Sequence, residues 1–198
     1  MKKLFSFPKF LILNCSFLIL LAACGRKEAS APAPVPIPPI SDFTLKNLLS
    51  EFPGEIRTAE YAGQVQLVLF FRTDDAACRG SIQDWNSLQK EFADRGFVLV
   101  GAVVDNRPPD VVAAEAVALG AAFPVGFAAE PVVAAFGGPA AIRAIPTAFL
   151  LSRDGARLRT YAGYEPLDRY RADLAAALDG QPLPGAKSAP VAPEDNAP

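Results

Sequence analysis

Two continuous apolar runs dominate the pattern of hydrophobic and polar positions along the chain. Val65–Phe71 and residues 97–104 contain almost no polar residue and do not alternate, which is typical of strands buried on both faces of a parallel sheet. Between them apolar residues recur at helical spacing, namely Ile82, Trp85, Leu88 and Phe92. This order predicts a strand, a helix over residues 78–95 that ends at Gly96, and a second strand parallel to the first.

The remaining pattern predicts a mixed sheet with helices on both faces. A short strand is expected to enter the domain at Phe43. The later predicted elements are a helix capped by Asp110, a strand over residues 123–127, a helix over 131–136, and a hairpin turning at Asp154 and Gly155 before a last helix. We therefore expect one α/β sandwich over residues 42–180, with parallel strands joined by crossovers and an antiparallel edge.

The first 23 residues have the features of a secretory signal peptide. A basic start at Lys2 and Lys3 precedes a short apolar core. That core ends in Leu-Ala-Ala-Cys, which resembles the lipobox of bacterial lipoproteins, so we expect cleavage before Cys24 and lipid attachment to its thiol. Residues 24–41 are rich in proline and alanine and predict a semi-rigid tether, and residues 181–198 predict a disordered tail.

These features predict a location in the bacterial cell envelope. The lipid on Cys24 is expected to anchor the protein to a membrane, with the domain facing the periplasm or the cell exterior. Gly25, rather than aspartate, follows the lipidated cysteine, which favours the outer over the inner membrane.

Charge and composition argue against several classes of ligand. The net charge is −2 and the pI about 5.2, so no basic surface indicates a nucleic-acid partner. The chain has no histidine, and its one methionine is Met1, which leaves too few soft ligands for a metal site. No glycine-rich phosphate loop is present. We therefore expect neither a metal nor a cofactor.

One thiol remains in the predicted mature protein. Cys15 leaves with the signal peptide and Cys24 carries lipid, so Cys78 has no partner for an intramolecular disulfide. Cys78 lies where a core strand leads into a helix. At that place the helix dipole and unpaired backbone N–H groups would stabilise a thiolate.

Several motifs together resemble the thioredoxin superfamily, and in particular its exported TlpA/ResA-type members with a redoxin-like domain. The motifs are Val-Leu-Phe-Phe before a loop ending in Cys-Arg, Phe-Val-Leu-Val-Gly-Ala-Val-Val-Asp, Phe-Pro-Val, and Ile-Arg-Ala-Ile-Pro-Thr-Ala-Phe-Leu-Leu followed by Asp-Gly. The resemblance covers residues 42–179. It implies a thioredoxin-like fold, a cis Ile145–Pro146 bond, and a groove at Ile145, Pro146 and Thr147 that binds an extracytoplasmic partner polypeptide.

The resemblance breaks at the redox motif. The family reads Trp-Cys-x-x-Cys, and the matching positions here are Asp74 for the aromatic residue, Asp75 for the first cysteine and Cys78 for the second. The first cysteine is the attacking thiolate and the second resolves the mixed disulfide. Exchange by two cysteines is therefore predicted to be absent.

Two main functions remain open for such a site. Asp75 can be an N-cap and Cys78 a buried small residue, which leaves a redox-inactive or weakly active module that binds a partner through the proline groove. Alternatively, Cys78 acts alone as a disulfide oxidoreductase by forming mixed disulfides. In the first case the Asp75 carboxylate raises the pKa of the Cys78 thiol and slows its reaction.

A thiol peroxidase is a minor alternative. Peroxiredoxins use a Pro-x-x-x-Thr-x-x-Cys pattern, and Phe71 and Asp75 occupy the proline and threonine positions here. Arg72 and Arg79 flank the site and either supply positive charge or are solvated surface residues.

The resemblance also implies an acid near the end of the second parallel strand, beside the thiol position. Asp105 lies close to that place and Asn106 matches it in register. Asp105 can equally begin a turn.

Overall fold

A computed structural model describes residues 39–40, 42–49 and 54–185 of the 198-residue chain. The predicted signal peptide, the lipidation site Cys24, almost all of the tether and residues 186–198 lie outside the described residues. In the described part, no helix is both long and apolar enough to cross a membrane.

The described residues form seven strands and four α-helices, and all of them except β2 follow the order that the apolar pattern predicts. The strands are β1 (Thr44–Asn47), β2 (Glu55–Arg57), β3 (Val65–Phe71), β4 (Phe97–Val103), β5 (Val125–Phe127), β6 (Thr147–Leu151) and β7 (Arg157–Ala162). The α-helices are α1 (Ala76–Phe92), α2 (Pro109–Leu119), α3 (Glu130–Ala135) and α4 (Leu167–Leu178). Short 3₁₀ helices cover Thr58–Tyr61 and Ala93–Arg95.

The strands of the described residues form one sheet in the order β2-β1-β5-β4-β3-β6-β7. β3, β4 and β5 run parallel, and the other pairs are antiparallel. Every residue of β3 and β4 is buried, because helices or loops cover both faces of these central strands. The parallel strands bring the loops after β3, β4 and β5 to one edge of the sheet.

Two apolar clusters fill the space on the two faces of the sheet. One cluster packs α1, α2 and α4 against side chains such as Leu67 and Leu99. The other packs α3 and the segment before β1 against Phe70 and Phe149. The predicted fold class, an α/β sandwich with a mixed sheet and helices on both faces, is confirmed.

Local differences from the predicted elements have simple causes. The prediction that Asp110 caps α2 is wrong: Pro108 is the N-cap and Asp110 lies in the first turn, because Pro109 is well suited to the first helical position. The strand β2 was not predicted, since three residues are too few to show a pattern. Gly96 ends the turn after α1 with φ +82°, the left-handed conformation that glycine favours.

The packed region extends past Gly180, the predicted domain boundary. The side chain of Leu183 is buried in the cluster with α1 and α4, and Arg159 Nη2 donates to the carbonyl of Pro184 at 2.7 Å. At the other end, Ile40 is buried and its N–H donates to the carbonyl of Gly155. Contacts from both flanking segments therefore reach the domain.

Candidate functional site

Asp75 is the N-cap of α1. Its backbone is extended (φ −77°, ψ 132°), and its Oδ1 accepts a hydrogen bond of 2.9 Å from the backbone N–H of Cys78. The Asp75 carbonyl also accepts from the N–H of Arg79 at 3.0 Å. An aspartate at this position satisfies a helix N–H that has no partner inside the helix and places negative charge at the positive end of the dipole.

Cys78 lies in the first turn of α1 with no exposed surface, and it forms no disulfide. Burial raises the pKa of its thiol to about 12, and a hydrogen bond to Asp75 and the negative charges of Asp75 and Asp74 act in the same direction. A backbone hydrogen bond from Arg72 opposes these effects. The protein environment therefore keeps this thiol protonated, although the helix dipole by itself would favour the thiolate.

The arginines beside the site do not supply free positive charge to the thiol. Arg72 forms a two-bond ion pair with Asp74, with both nitrogen–oxygen distances at 2.9 Å. This pair raises the pKa of Arg72 and lowers that of Asp74. Arg79 is exposed, as expected of a solvated arginine.

The Ile145–Pro146 bond is cis, as the resemblance implies. Thr147 lies opposite Phe70 in the antiparallel pairing of β3 and β6, so the loop before β6 lies beside the carboxyl end of β3. The carbonyl of Pro146 accepts from the N–H of Gly163 at 2.7 Å. Neither the N–H nor the carbonyl of Ile145 is hydrogen-bonded to any group in the described part of the chain. Both polar backbone groups of this half-buried residue are therefore unpaired within the described residues.

The structure thus brings the two predicted parts of the site to the same edge of the sheet. The loop between β3 and α1 carries Asp75 and Cys78, and the neighbouring loop carries Pro146. Ile145 packs against the apolar cluster that contains Cys78, while the hydroxyl of Thr147 donates to the carbonyl of Ala144 at 2.6 Å. Thr147 is consequently engaged inside its own loop.

Asp105 pairs with Arg107, which is the centre of an ion-pair cluster that the sequence pattern did not predict. Its carboxylate is fully buried and accepts from Arg107 Nη2 at 2.8 Å. Arg107 also donates to Glu115 Oε2 and to Thr73 Oγ1, both at 2.7 Å, and Thr73 Oγ1 donates to Glu115 Oε2 at 2.7 Å. Arg107 lowers the pKa values of both carboxyl groups.

This cluster links the loop after β3, the loop after β4 and helix α2. The spacing of Asp105 and Arg107, two residues apart after a buried strand, was the one local signal for it. Thr73 lies 34 residues and Glu115 eight residues from Arg107, so neither could be assigned to the cluster from a local pattern. Asn106 is exposed and stays outside the cluster. In the described part of the chain, no group of three or more histidine, cysteine, aspartate or glutamate residues could hold a metal ion.

Comparison with solved structures places this architecture among thioredoxin-like folds. A thiol:disulfide interchange protein of the thioredoxin family from Chlorobium tepidum is 28% identical with a TM-score of 0.62, over 75% of this chain and 99% of its own. The exposed lipoprotein thioredoxin of Streptococcus pneumoniae shares the fold at 20% identity and a TM-score of 0.58, over 68% of this chain and 98% of its own. A DsbF homologue from Corynebacterium diphtheriae is 19% identical with a TM-score of 0.59, over 72% and 85% of the two chains.

The amino-acid sequence was also compared with curated proteins and with family models. No curated protein matches the chain. The family model described as the AhpC/TSA family matches residues 38–156, which include β1 to β6, the capped helix α1 and the cis-proline loop. With its thioredoxin-like fold, the chain belongs to the AhpC/TSA family.

Proposed function

We propose that this protein is a membrane-anchored thioredoxin-like module of the bacterial cell envelope that binds a partner polypeptide through the cis-proline loop and has lost dithiol exchange. The observation that carries the proposal is the geometry of the α1 N-terminus. A carboxylate, Asp75, caps the helix where the family has its attacking cysteine. The remaining thiol, Cys78, is buried beneath it.

The protonation state of Cys78 argues against nucleophilic chemistry. With a pKa of about 12, the thiolate fraction at pH 7 is on the order of 10⁻⁵, compared with a few per cent for an unperturbed cysteine. The thiolate is the form that attacks disulfides and peroxides. Peroxidase activity also needs the thiolate, so the raised pKa of Cys78 argues equally against a thiol peroxidase.

Binding of an extended polypeptide is supported by the groups around Pro146. The N–H and carbonyl of Ile145 are free within the described residues, so they can pair with a ligand backbone as an added strand does. Next to them, Tyr164 is 44% exposed, and its hydroxyl donates to Asp84 on α1 at 2.7 Å. This bond holds an aromatic surface near the free peptide group.

Anchoring in the envelope is supported by the sequence. The lipobox ending at Cys24 predicts the lipid, and one structural neighbour with the same fold is itself an exposed lipoprotein. The domain would then meet its partner polypeptide outside the cytoplasm.

A second candidate function is a single-thiol disulfide oxidoreductase. It is favoured by the 28% identity to a thiol:disulfide interchange protein and by the retention of Cys78 in the first turn of α1. In this reaction the Cys78 thiolate would attack a partner disulfide, form a mixed disulfide and release the other partner sulfur as a thiol. A second thiol from the partner would then resolve it.

Alkylation of Cys78 in the full chain distinguishes the two functions. The rate of reaction with iodoacetamide is measured by peptide mass spectrometry between pH 6 and 10, with a denatured sample as reference. We expect Cys78 to react far more slowly in the folded than in the denatured protein across this range. Rapid reaction with an apparent pKa below about 8.5 would refute the inactive module and support the single-thiol enzyme.

Binding is tested separately with an unfolded polypeptide whose cysteines have been carboxamidomethylated, so that no thiol exchange is possible. Fluorescence anisotropy of this labelled ligand should show saturable binding to the full chain. Ile145→Pro, which removes the free N–H, should weaken binding, whereas Ile145→Val keeps the backbone donor and should not. Equal affinity of both variants would contradict the proposed use of this peptide group.

A further inference from the structure

A cleft of about 780 Å³ lies at the carboxyl ends of β4 and β5 and is not lined by Asp75, Cys78 or Pro146. Its walls come from β1, from the loop after β4 and from the segment after β5. A volume of this size is typical of sites that hold small organic molecules. This cleft has no part in the function proposed above.

The cleft exists because β1 separates from β5. The two strands pair only through Lys46 with Phe127 and Asn47 with Gly126. β1 nevertheless stays paired with β2 as far as Thr44. Thr44 and Ala129 therefore face each other across a gap in the sheet, and both line the cleft.

The floor of the cleft is apolar. Phe127 is half-buried and packs against the apolar cluster that contains α1, α2 and α4, and Pro109 also lines the cleft. Lys46 projects to the same face as Phe127, because it is the strand neighbour of Leu45, which belongs to the opposite cluster. A cation thus stands beside an apolar floor.

Lys46 is the unpaired charge among the described residues that line the cleft. Arg107 pairs with Asp105 at 2.8 Å and with Glu115 at 2.7 Å, and Glu55, the cross-strand neighbour of Lys46, is held by Arg57 at 2.8 Å. The Lys46 ammonium has no carboxylate within 4.0 Å in the described part of the chain. The exposed side-chain amide of Asn106 also lines the cleft and makes no hydrogen bond to the described residues.

We propose that this cleft binds a carboxylate with an apolar body. The carboxylate would pair with Lys46 and accept from the Asn106 amide, while the apolar part would cover Phe127. The same chemistry is present in a free organic acid and in the C-terminus of a polypeptide that ends in an apolar residue.

The test uses 3-phenylpropionate as the free acid and N-acetyl-Ala-Ala-Phe as the C-terminal peptide, with 3-phenylpropionamide as the uncharged control. Ligand-observed NMR titrations are made with the full chain in nonionic detergent, and detergent alone gives the background. We expect saturable binding of at least one acid and weaker binding of the amide. The acid that binds more tightly identifies the source of the ligand.

Substitutions then locate the binding site. Lys46→Gln should weaken binding of the acid by about fivefold, the upper range for an exposed charge pair, and Lys46→Arg should retain it. Lys90→Gln makes the same change on α1, outside the cleft, and should have no effect. In the unmodified chain, saturating acid should also slow acetylation of Lys46 but not of Lys90.

Three results of the binding titrations would overturn the proposal, and one result of the acetylation experiment would do the same. The titration results are the absence of saturable binding by either acid, equal affinity of acid and amide, and an unchanged affinity in Lys46→Gln. Equal protection of Lys46 and Lys90 from acetylation would likewise show that the acid does not occupy this cleft.

Discussion

Asp75 stabilises the start of α1 through a hydrogen bond and through its negative charge, and two substitutions distinguish these two contributions. Asp75→Ala removes both the acceptor for the Cys78 N–H (2.9 Å) and the negative charge. Asp75→Ser keeps a hydroxyl acceptor but removes the charge. Serine and aspartate are comparable N-caps, whereas alanine costs about 1 kcal/mol. We therefore expect Asp75→Ala to lower the free energy of unfolding by about 1 kcal/mol and Asp75→Ser to change it by a few tenths.

The same pair of variants tests why Cys78 is unreactive. Burial is the largest cause of its raised pKa, and Asp75 contributes less. If alkylation occurs through local opening of α1, a loss of about 1 kcal/mol accelerates it by about fivefold in Asp75→Ala, and much less in Asp75→Ser. In both variants the pKa of Cys78 should fall but stay above the ordinary cysteine value of about 8.5, because the burial remains.

The assay is urea unfolding of the full chain, followed by circular dichroism, together with the alkylation rate of Cys78 at pH 8. Equal destabilisation by both substitutions would show that the hydrogen bond is not what stabilises the helix start. A pKa of Cys78 below about 8.5 in Asp75→Ser would refute the reasoning that burial dominates.

Three further changes test other parts of the structure. Asp75→Cys should form an intramolecular disulfide with the existing thiol on mild oxidation, detectable by mass spectrometry as a loss of two mass units, because it places a second cysteine at Cys-x-x-Cys spacing from Cys78. Arg107→Met should reduce stability at pH 7, and this difference from the parent should shrink as the pH falls. Arg107 lowers the pKa of Asp105. The ion pair therefore stabilises the fold fully above the unfolded carboxyl pKa of about 3.9, and this stabilisation is lost as the pH falls through the lower folded pKa. Urea titrations between pH 2 and 7 measure the stability difference, and a difference that stayed constant would contradict this reasoning. Leu183→Ala should cost about 2–3 kcal/mol in urea unfolding, whereas Leu158→Ala, at a 39% exposed position, should cost under about 1 kcal/mol; equal effects would show that the segment after α4 does not pack as described.

The central elements of the fold could be predicted because each is encoded locally. The continuous apolar runs at Val65–Phe71 and residues 97–104 have the composition that burial on both faces requires. The spacing of apolar residues in the helix between them is enough to identify its buried face. Gly96 ends the 3₁₀ turn that follows this helix. The strand β2 was not predicted because three residues are too few to show a period, and the start of α2 was misplaced because Pro109 takes the first helical position.

The candidate site was predicted in its residue types but not in its environment. Asp75, Cys78 and Pro146 stand at positions that a motif can identify. The burial that raises the pKa of Cys78 depends on side chains brought from other elements, and the partners of Arg107 include Thr73, which is 34 residues earlier in the chain. Such distances in sequence carry no periodic signal.

The sequence by itself therefore determined most of the strands and helices, the family, and a carboxylate, Asp75, three residues before Cys78 at the start of α1. These depend on residue type, spacing and local backbone preference, which act over a few positions. Tertiary structure alone decided that Cys78 is buried and protonated, that Asp105 pairs with Arg107, and that the separation of β1 from β5 opens a cleft beside Lys46. Burial and electrostatic pairing depend on which distant groups meet, so they are set only when the chain has folded.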